Sequence, residues 1–391
     1  MSFMTEIYLD NSATTPLCEG AIEAMTQAMR CYGNPSSLHT LGHEAQKLID
    51  AARNSIGSAL GVRMMKAEEL IFTSCGTEAN NLALFGAAYA KSRRVGNKII
   101  TTDSEHPSVE KALEALEADG FEVVRIGTRG GVLNWDQLEK ALDDRVLLVT
   151  MMMVNNETGA AYDLARVFKL VKERCPSAVT HCDAVQGFLK LRFSPAAIGA
   201  DLLSISSHKI HGPKGVGALY VSREILRQKK LTPRLLGGGQ EFGFRSGTEN
   251  VIGIAGFGAA VRETGRDLDG KIQKVAALRE YALLKLSALD VTLNVPLGVC
   301  APHILNFTLP RIKSETMLHY LSGEGIYVSS GSACSSHSHA PSATLLAFGL
   351  SPSDAENSIR VSLSEYNTEE EIDRFVETLK NGLNVLVRTR R

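Results

Sequence analysis

The chain lacks any CxxC pair, and its seven cysteines (Cys18, Cys31, Cys75, Cys175, Cys182, Cys300 and Cys334) are scattered and odd in number. That suits neither a disulfide framework nor a zinc ribbon, so reduced thiols are expected, most of them packed as small hydrophobes. There is no long basic block either. Lys and Arg together number 42 against 43 Asp and Glu, for a formal net charge of −1. The electrostatic footprint of a general nucleic-acid binder is therefore missing, and a small molecule is the better expected ligand. No segment is both apolar and long enough to span a bilayer. The opening MSFMTEIYLDNSATTP has no basic stretch followed by an apolar one. Both absences argue against a membrane role and for a cytoplasmic protein. Internal repeats and low-complexity tails are absent too.

What is present is ordinary globular composition, 44% hydrophobic and 22% charged, over 391 residues. That length exceeds what one hydrophobic core serves, so a large domain with a smaller companion is expected. From about Lys98 to Val221 short β-rich runs (KIITT, FEVVRI, VLLVTMMMV, AVTHCD, LLSISS, GALYV) alternate with helical stretches, the pattern of βα units in a mainly parallel sheet. PSVEKALEALEADG has Pro107 at its start and Gly120 past its end, a matched helix start and stop. LARVFKLVKERC reads the same way. The runs at Leu202 and Gly217 are joined by a loop too short for a parallel crossover, so that pair is expected to be antiparallel. LLGGGQEFGFRSGTEN is Gly-rich and reads as a loop beside a ligand or a subunit boundary. A long helical run follows from about Val251 to Leu289 and leads into a second mixed region, and the domain boundary is placed near residue 260.

Candidate chemistry gathers just beyond the strand ends, where open α/β sheets bind ligands. Lys209 stands in SSHKIHGPKG; a lone lysine is ordinarily a solvated surface residue, and only its neighbourhood makes it interesting. Asp183 and Gln186 lie in THCDAVQG, where a carboxylate is either a pyridinium partner or a helix cap. FTSCGTEANN offers a Gly-Thr turn at a helix N-terminus, a place for phosphate but a weak signal alone. His106 in EHPSV could stack, move a proton or cap a helix. Asn156 in VNNETG could bind a carboxylate or be a turn asparagine, and Arg360 in NSIRVSL could clasp a carboxylate or form a surface ion pair. Cys334 stands in SSGSACSSHSH among small polar residues with little to bury it, which suits a nucleophile. His337 and His339 lack ligand spacing, so no metal site is expected.

Taken together YLDNSATTP, NPSSLHTLG, FTSCGTEANN, EHPSV, VNNETG, HCDAVQG, SSHKIHGPKGVGALY, GGGQEFGFRSGTEN, SSGSAC and SIRVSL resemble the cysteine desulfurases, a class V aminotransferase branch of the fold-type I pyridoxal-phosphate enzymes. The resemblance runs through nearly the whole chain. It implies a large α/β domain over residues 15–260 with a seven-stranded, mainly parallel sheet, and a smaller α+β domain from residues 1–14 and 261–391 carrying the Cys334 loop. It further implies pyridoxal 5′-phosphate held as a Schiff base by Lys209, with His106 over the ring, Asp183 on the ring nitrogen and Gln186 on the ring hydroxyl. Gly76, Thr77, Ser206 and His208 would hold the phosphate, with Thr248 reaching over from the second subunit of a homodimer. Asn156 and Arg360 would take the carboxylate of L-cysteine, and Cys334 would receive its sulfur as a persulfide, releasing L-alanine. The SSGSAC motif marks the subgroup serving iron–sulfur cluster and related sulfur pathways, with a sulfur-acceptor or scaffold protein as a further partner. Rival implications are a selenocysteine lyase or sulfinate-active relative, another class V aminotransferase, and a non-catalytic assembly partner. Two departures stand out: Cys75 and Ser364 occupy positions where the family commonly has glycine, and Cys75 is expected to alter the phosphate turn or its thiol chemistry.

Overall fold

A computed structural model describes residues 6–90, 96–330 and 341–386. Its strands are β1 (Ile7–Tyr8), β2 (Leu70–Thr73), β3 (Lys98–Thr102), β4 (Glu122–Ile126), β5 (Val146–Met152), β6 (Val179–Asp183), β7 (Leu202–Ser206), β8 (Gly217–Val221), β9 (Thr292–Leu293), β10 (Ile304–Thr308), β11 (Ile326–Tyr327), β12 (Ser329–Ser330) and β13 (Ser358–Ser362). Seven of them form one sheet in the order β2-β8-β7-β6-β5-β3-β4. All pairs are parallel except those of β8, which runs against both β7 and β2. The short loop after β7 leaves no room for a crossover, so the reversal predicted there is what forms.

The central strands are buried on both faces, which is why they read as continuous apolar runs rather than as alternation. Neighbouring side chains still take opposite sides. Ile99, Leu148, Leu202 and Leu219 pack with the helices Gly76–Ala88 and Pro107–Ala118, whereas Ile100, Val149, Leu203 and Ala218 pack with the helices Thr40–Ala59, Leu164–Arg174 and Val251–Thr264. A separate core gathers Ile7, Leu9, Leu305, Phe307, Ile359, Val361, Phe375 and Leu379. It lies on the four-stranded sheet β12-β13-β10-β9, the pair β1-β11 and the helices Leu268–Leu286, Ser314–Gly323 and Glu369–Val385. No helix among the described residues is long and apolar enough to cross a membrane.

The stretch after Asn250 is two helices, Val251–Thr264 and Leu268–Leu286, rather than one run to Leu289. Asp267 interrupts it in a left-handed conformation (φ 48°) and its carboxylate accepts from the Gly270 N–H. An aspartate that caps a new helix outweighs the propensity to continue the old one.

The Gly-rich loop before this helix is pinned from inside. Arg53, 3% exposed, donates from Nη2 to Glu241 Oε1 at 2.9 Å and from Nη1 to Oε2 at 3.2 Å, and its guanidinium lies 4.8 Å from the Phe72 ring centroid and 5.2 Å from that of Phe242. Glu241 also accepts from the Phe72 N–H at 2.8 Å. Glu241 and Phe242 both have positive φ (45° and 58°), a conformation costly for such side chains and held here by the buried pair. Glu241→Ala would strand a buried guanidinium, and a loss of about 3–5 kcal/mol is expected in denaturant unfolding.

Candidate active site

The site is assembled at the carboxyl ends of five strands. Beyond β2 comes the turn Cys75-Gly76-Thr77, beyond β3 Glu105 and His106, beyond β5 Asn156, beyond β6 Gln186, and beyond β7 His208 and Lys209; Asp183 ends β6 and Ser206 ends β7. Because β2, β3, β5, β6 and β7 all point one way, these positions converge. A cavity of about 290 Å³ is lined by Gly76, Thr77, His106, Asn156, Asp183, Gln186, Ser206, His208, Lys209 and Arg360, near the lower end of small-ligand pockets. Thr248 is exposed and does not line it. Cys334 lies outside the described residues.

Asp183 sits on the cavity floor, 6% exposed, accepting from the Val185 N–H at 3.0 Å and from Asn80 Nδ2 at 2.7 Å. Beneath it, burial pushes the Glu105 carboxyl up to about 8 although Thr102 and the Met152 N–H both donate to it, and the Asp183 charge adds to the rise. At neutral pH the Glu105 carboxyl is therefore mostly protonated. His106 is both a cap and a wall residue: its Nδ1 accepts from the Ser108 N–H at 3.1 Å. Burial holds its pKa below the usual histidine range, against the pull of Asp183, and the Lys209 charge lowers it further, so the imidazole is neutral. Lys209 Nζ donates to the carbonyls of Ser12 (2.5 Å) and Ala13 (2.7 Å).

At the opposite end, Arg360 is the third residue of β13 and 3% exposed. Nη2 donates to Asp10 Oδ1 at 2.7 Å and Nη1 to the Asn156 carbonyl at 3.0 Å, while Nε has no partner among the described residues. Asp10 and Asn156 thus hold the guanidinium in one orientation on the cavity wall. Strand β12, the first two residues of the SSGSAC stretch and the last described before Cys334, pairs Ser329 with Arg360. Where description resumes, Ser342 donates to Glu157 Oε2 at 2.7 Å.

The class V aminotransferase profile matches residues 7–375. The chain belongs to the class V aminotransferase family. Similar relatives include the cysteine desulfurase IscS of Dictyoglomus turgidum, 40% identical over 97% of this chain and 95% of its own, and the cysteine desulfurase IscS of Escherichia coli, 38% identical over 97% and 93%. Among solved structures, a NifS-like protein superposes with a TM-score of 0.90 at 36% identity, covering 98% of this chain and all of its own. SspA in complex with cysteine superposes with a TM-score of 0.80 at 32% identity, covering 93% of this chain and 100% of its own.

Class V aminotransferase-family enzymes work with pyridoxal 5′-phosphate, and the side chains here fit that group. The Ser206 hydroxyl is buried, lines the cavity and has no hydrogen-bond partner among the described residues. An unpaired buried hydroxyl is costly, and a phosphate oxygen beside the helix start at Gly76 would satisfy it. A Cβ on Gly76 would come within 2.9 Å of Val185 and 3.4 Å of Ser206, so that turn is close-packed against the same wall. Cys75 precedes it in an extended conformation (φ −173°) that any residue adopts. The backbone there makes no demand for glycine, and Cys75 lines the cavity. Ser364, the second departure, holds a turn through its N–H to Asn367 Oδ1 at 2.8 Å and likewise has no positive φ.

Sequence reading missed three contributors. Asn80 was visible as an amide on the buried face of an Ala-rich helix, where polar groups demand partners. Glu105 was visible as a carboxylate between a strand and a helix. The pairing of Asp10 with Arg360 spans 350 residues and left no local signal.

Proposed function

We propose that this chain is a pyridoxal-phosphate-dependent cysteine desulfurase, which moves sulfur from L-cysteine to Cys334 and releases L-alanine. The observation that carries the reading is the convergence of Lys209, Asp183 and Arg360 on one cavity. These are an amine, a carboxylate and a guanidinium, the groups needed to hold the cofactor, its ring nitrogen and a substrate carboxylate.

Lys209 would hold the cofactor covalently through Nζ. Asp183, kept in place by Asn80, would face the ring nitrogen, His106 the ring face and Gln186 the ring oxygen. Thr77, Ser206, His208 and the N–H groups around Gly76 would hold the phosphate. When bound, the cofactor supplies an electron sink for the charge left at the substrate Cα. Arg360 and Asn156 fix the substrate carboxylate, and Lys209 Nζ, displaced by the substrate amine, takes the Cα proton. The Cys334 thiolate attacks the substrate sulfur; an S–S bond forms, the Cβ–S bond breaks with its electron pair kept by carbon, and protonation completes alanine. Burial pushes His208 down to about 4, helped by the charges of Lys209 and Lys214, so its imidazole enters the phosphate end as a neutral hydrogen-bonding group.

A homodimer belongs to this reading: Thr248 faces solvent on a loop that also exposes Leu236 (77%) and Phe242 (49%), and a second copy would both cover these and receive Thr248 at its phosphate. The persulfide then serves an acceptor protein for iron–sulfur clusters or another sulfur-containing cofactor or transfer RNA, in the cytoplasm. The test is the visible absorption of the purified holoenzyme, with alanine and sulfide assayed after L-cysteine is added. We expect the spectrum to change on addition and alanine to appear stoichiometrically with sulfide under a reductant. A spectrum indifferent to L-cysteine, with no alanine, overturns the reading.

A further inference from the structure

Four residues beyond Gln186 on the same turn, Lys190 takes no part in the scheme above, yet its Nζ donates to Gln186 Oε1 at 3.2 Å. Gln186 is 5% exposed, and its Nε2 donates to the Ser12 carbonyl at 2.9 Å. A lysine ammonium can only donate, so it must meet the oxygen of the amide and not the nitrogen. Oε1 turned to Lys190 and one Nε2 hydrogen given to Ser12 fix the orientation of the Gln186 amide, and the group it can still donate into the cavity it lines is its second N–H. Resting on the cofactor reading above, we propose that Lys190 is a positioning residue that makes Gln186 an obligate donor to the cofactor's ring oxygen, selecting that oxygen in its anionic form.

The surroundings of Lys190 agree. It is partly buried and lines a second, smaller cavity of about 40 Å³ behind Lys209. The charged and titratable groups on that wall are Lys209, His211, Lys271, His303 and Glu365, and Arg360 adds its charge from β13. Glu365 is engaged by His211 (3.5 Å) and Lys271 (3.3 Å) rather than by Lys190. His303, 2% exposed, is held neutral by burial and then by the Lys190 charge. Glu365 favours the Lys190 charge without pairing to it directly, and the other charges around Lys190, those of Lys209 and Arg360, oppose it, an arrangement that costs stability. A phenolate oxygen on the far side of Gln186 would supply a nearby anion. Burial, then the Lys209 charge, pushes the Lys190 ammonium down to about 7. Below about pH 7 the folded protein carries this cation and its full cost; between there and the ordinary lysine range only the unfolded chain holds the proton, so the cost fades as pH rises.

The test compares Lys190→Met, which removes donor and charge, with Lys190→Gln, which removes the charge but keeps a donor for Oε1. In the holoenzyme, the pH midpoint of the bound cofactor's visible absorption is expected to move upward by about one unit in Lys190→Met, and the cofactor's Kd to rise roughly tenfold, the size of one charge-assisted hydrogen bond. Lys190→Gln is expected to restore part of the affinity but not the midpoint. The melting temperature of the cofactor-free Lys190→Met protein is expected not to fall, and to exceed that of the unaltered chain most clearly below pH 7. A fall in melting temperature with an unchanged midpoint and Kd would assign Lys190 to packing and overturn the proposal, as would failure of both variants to fold. If the unaltered protein binds no pyridoxal phosphate, the cofactor reading itself has failed, and that is seen before any variant is made.

Discussion

Lys209→Ala is expected to abolish turnover, by at least about 10³-fold, while leaving a folded protein that binds pyridoxal phosphate only reversibly. Two roles vanish with one amine: the covalent tether, and the base placed at Cα. Loss of a well-placed general base alone is worth roughly 10²–10⁴ in rate. The fold should survive, because the position is only partly buried and the Ser12 carbonyl, one of the Lys209 acceptors, keeps the Gln186 Nε2 donor. Removing the ammonium also relieves repulsion on Lys190. The measurement is dialysis followed by absorption: the unaltered protein keeps its cofactor colour and the variant loses it, with circular dichroism unchanged. An added small primary amine should recover part of the proton transfer, since the cavity then has room for it. Retention of the cofactor and of alanine production by Lys209→Ala would place the chemistry elsewhere.

The sheet was legible because its information is local. Each strand is a short apolar run closed by turn residues, and even the reversal of β8 follows from the length of the loop before it. The cavity residues were legible for a related reason: parallel strands end together, so residues just past those ends meet without any long-range inference. Asp183, His106 and Lys209 could be placed in one site from that rule and the motifs around them. What the sequence hid are relations across the chain. Asp10 and Arg360 share a hydrogen bond only because β13 returns beside the N-terminal segment, which bridges at Asp10 and Ser362. The Arg53–Glu241 clamp joins a helix to a distant loop in the same way. The break at Asp267 was local and readable, but helix propensity on both sides masked it. Cys75 teaches the converse: a residue unusual for its family proved compatible with the backbone, since an extended φ makes no demand for glycine.

Cys334→Ser is expected to leave cofactor binding and the spectral response to L-cysteine intact while lowering alanine production from L-cysteine by about 10³-fold or more. On the proposed assignment, the steps before sulfur transfer would depend on Lys209, Asp183 and Arg360, which the substitution leaves in place. The transfer itself needs a nucleophile that attacks sulfur and keeps it, and a serine hydroxyl is neither acidic nor polarisable enough to do so. An ordinary thiol is only a few per cent thiolate at neutral pH, so rate should rise with pH through the thiol's ionisation in the unaltered protein and lose that limb in the variant. Mass spectrometry after one turnover should find an extra sulfur on the peptide containing Cys334 and on no peptide of the variant. Selenocysteine sharpens the result. A lyase acting on it can expel selenium without a cysteine acceptor, so a Cys334→Ser protein that still makes alanine from selenocysteine at the unaltered rate, with L-cysteine a poor substrate for both, would transfer the assignment to selenocysteine. Equal losses with both substrates would keep Cys334 as the sulfur acceptor and L-cysteine as the substrate for which the Arg360 end of the cavity is built.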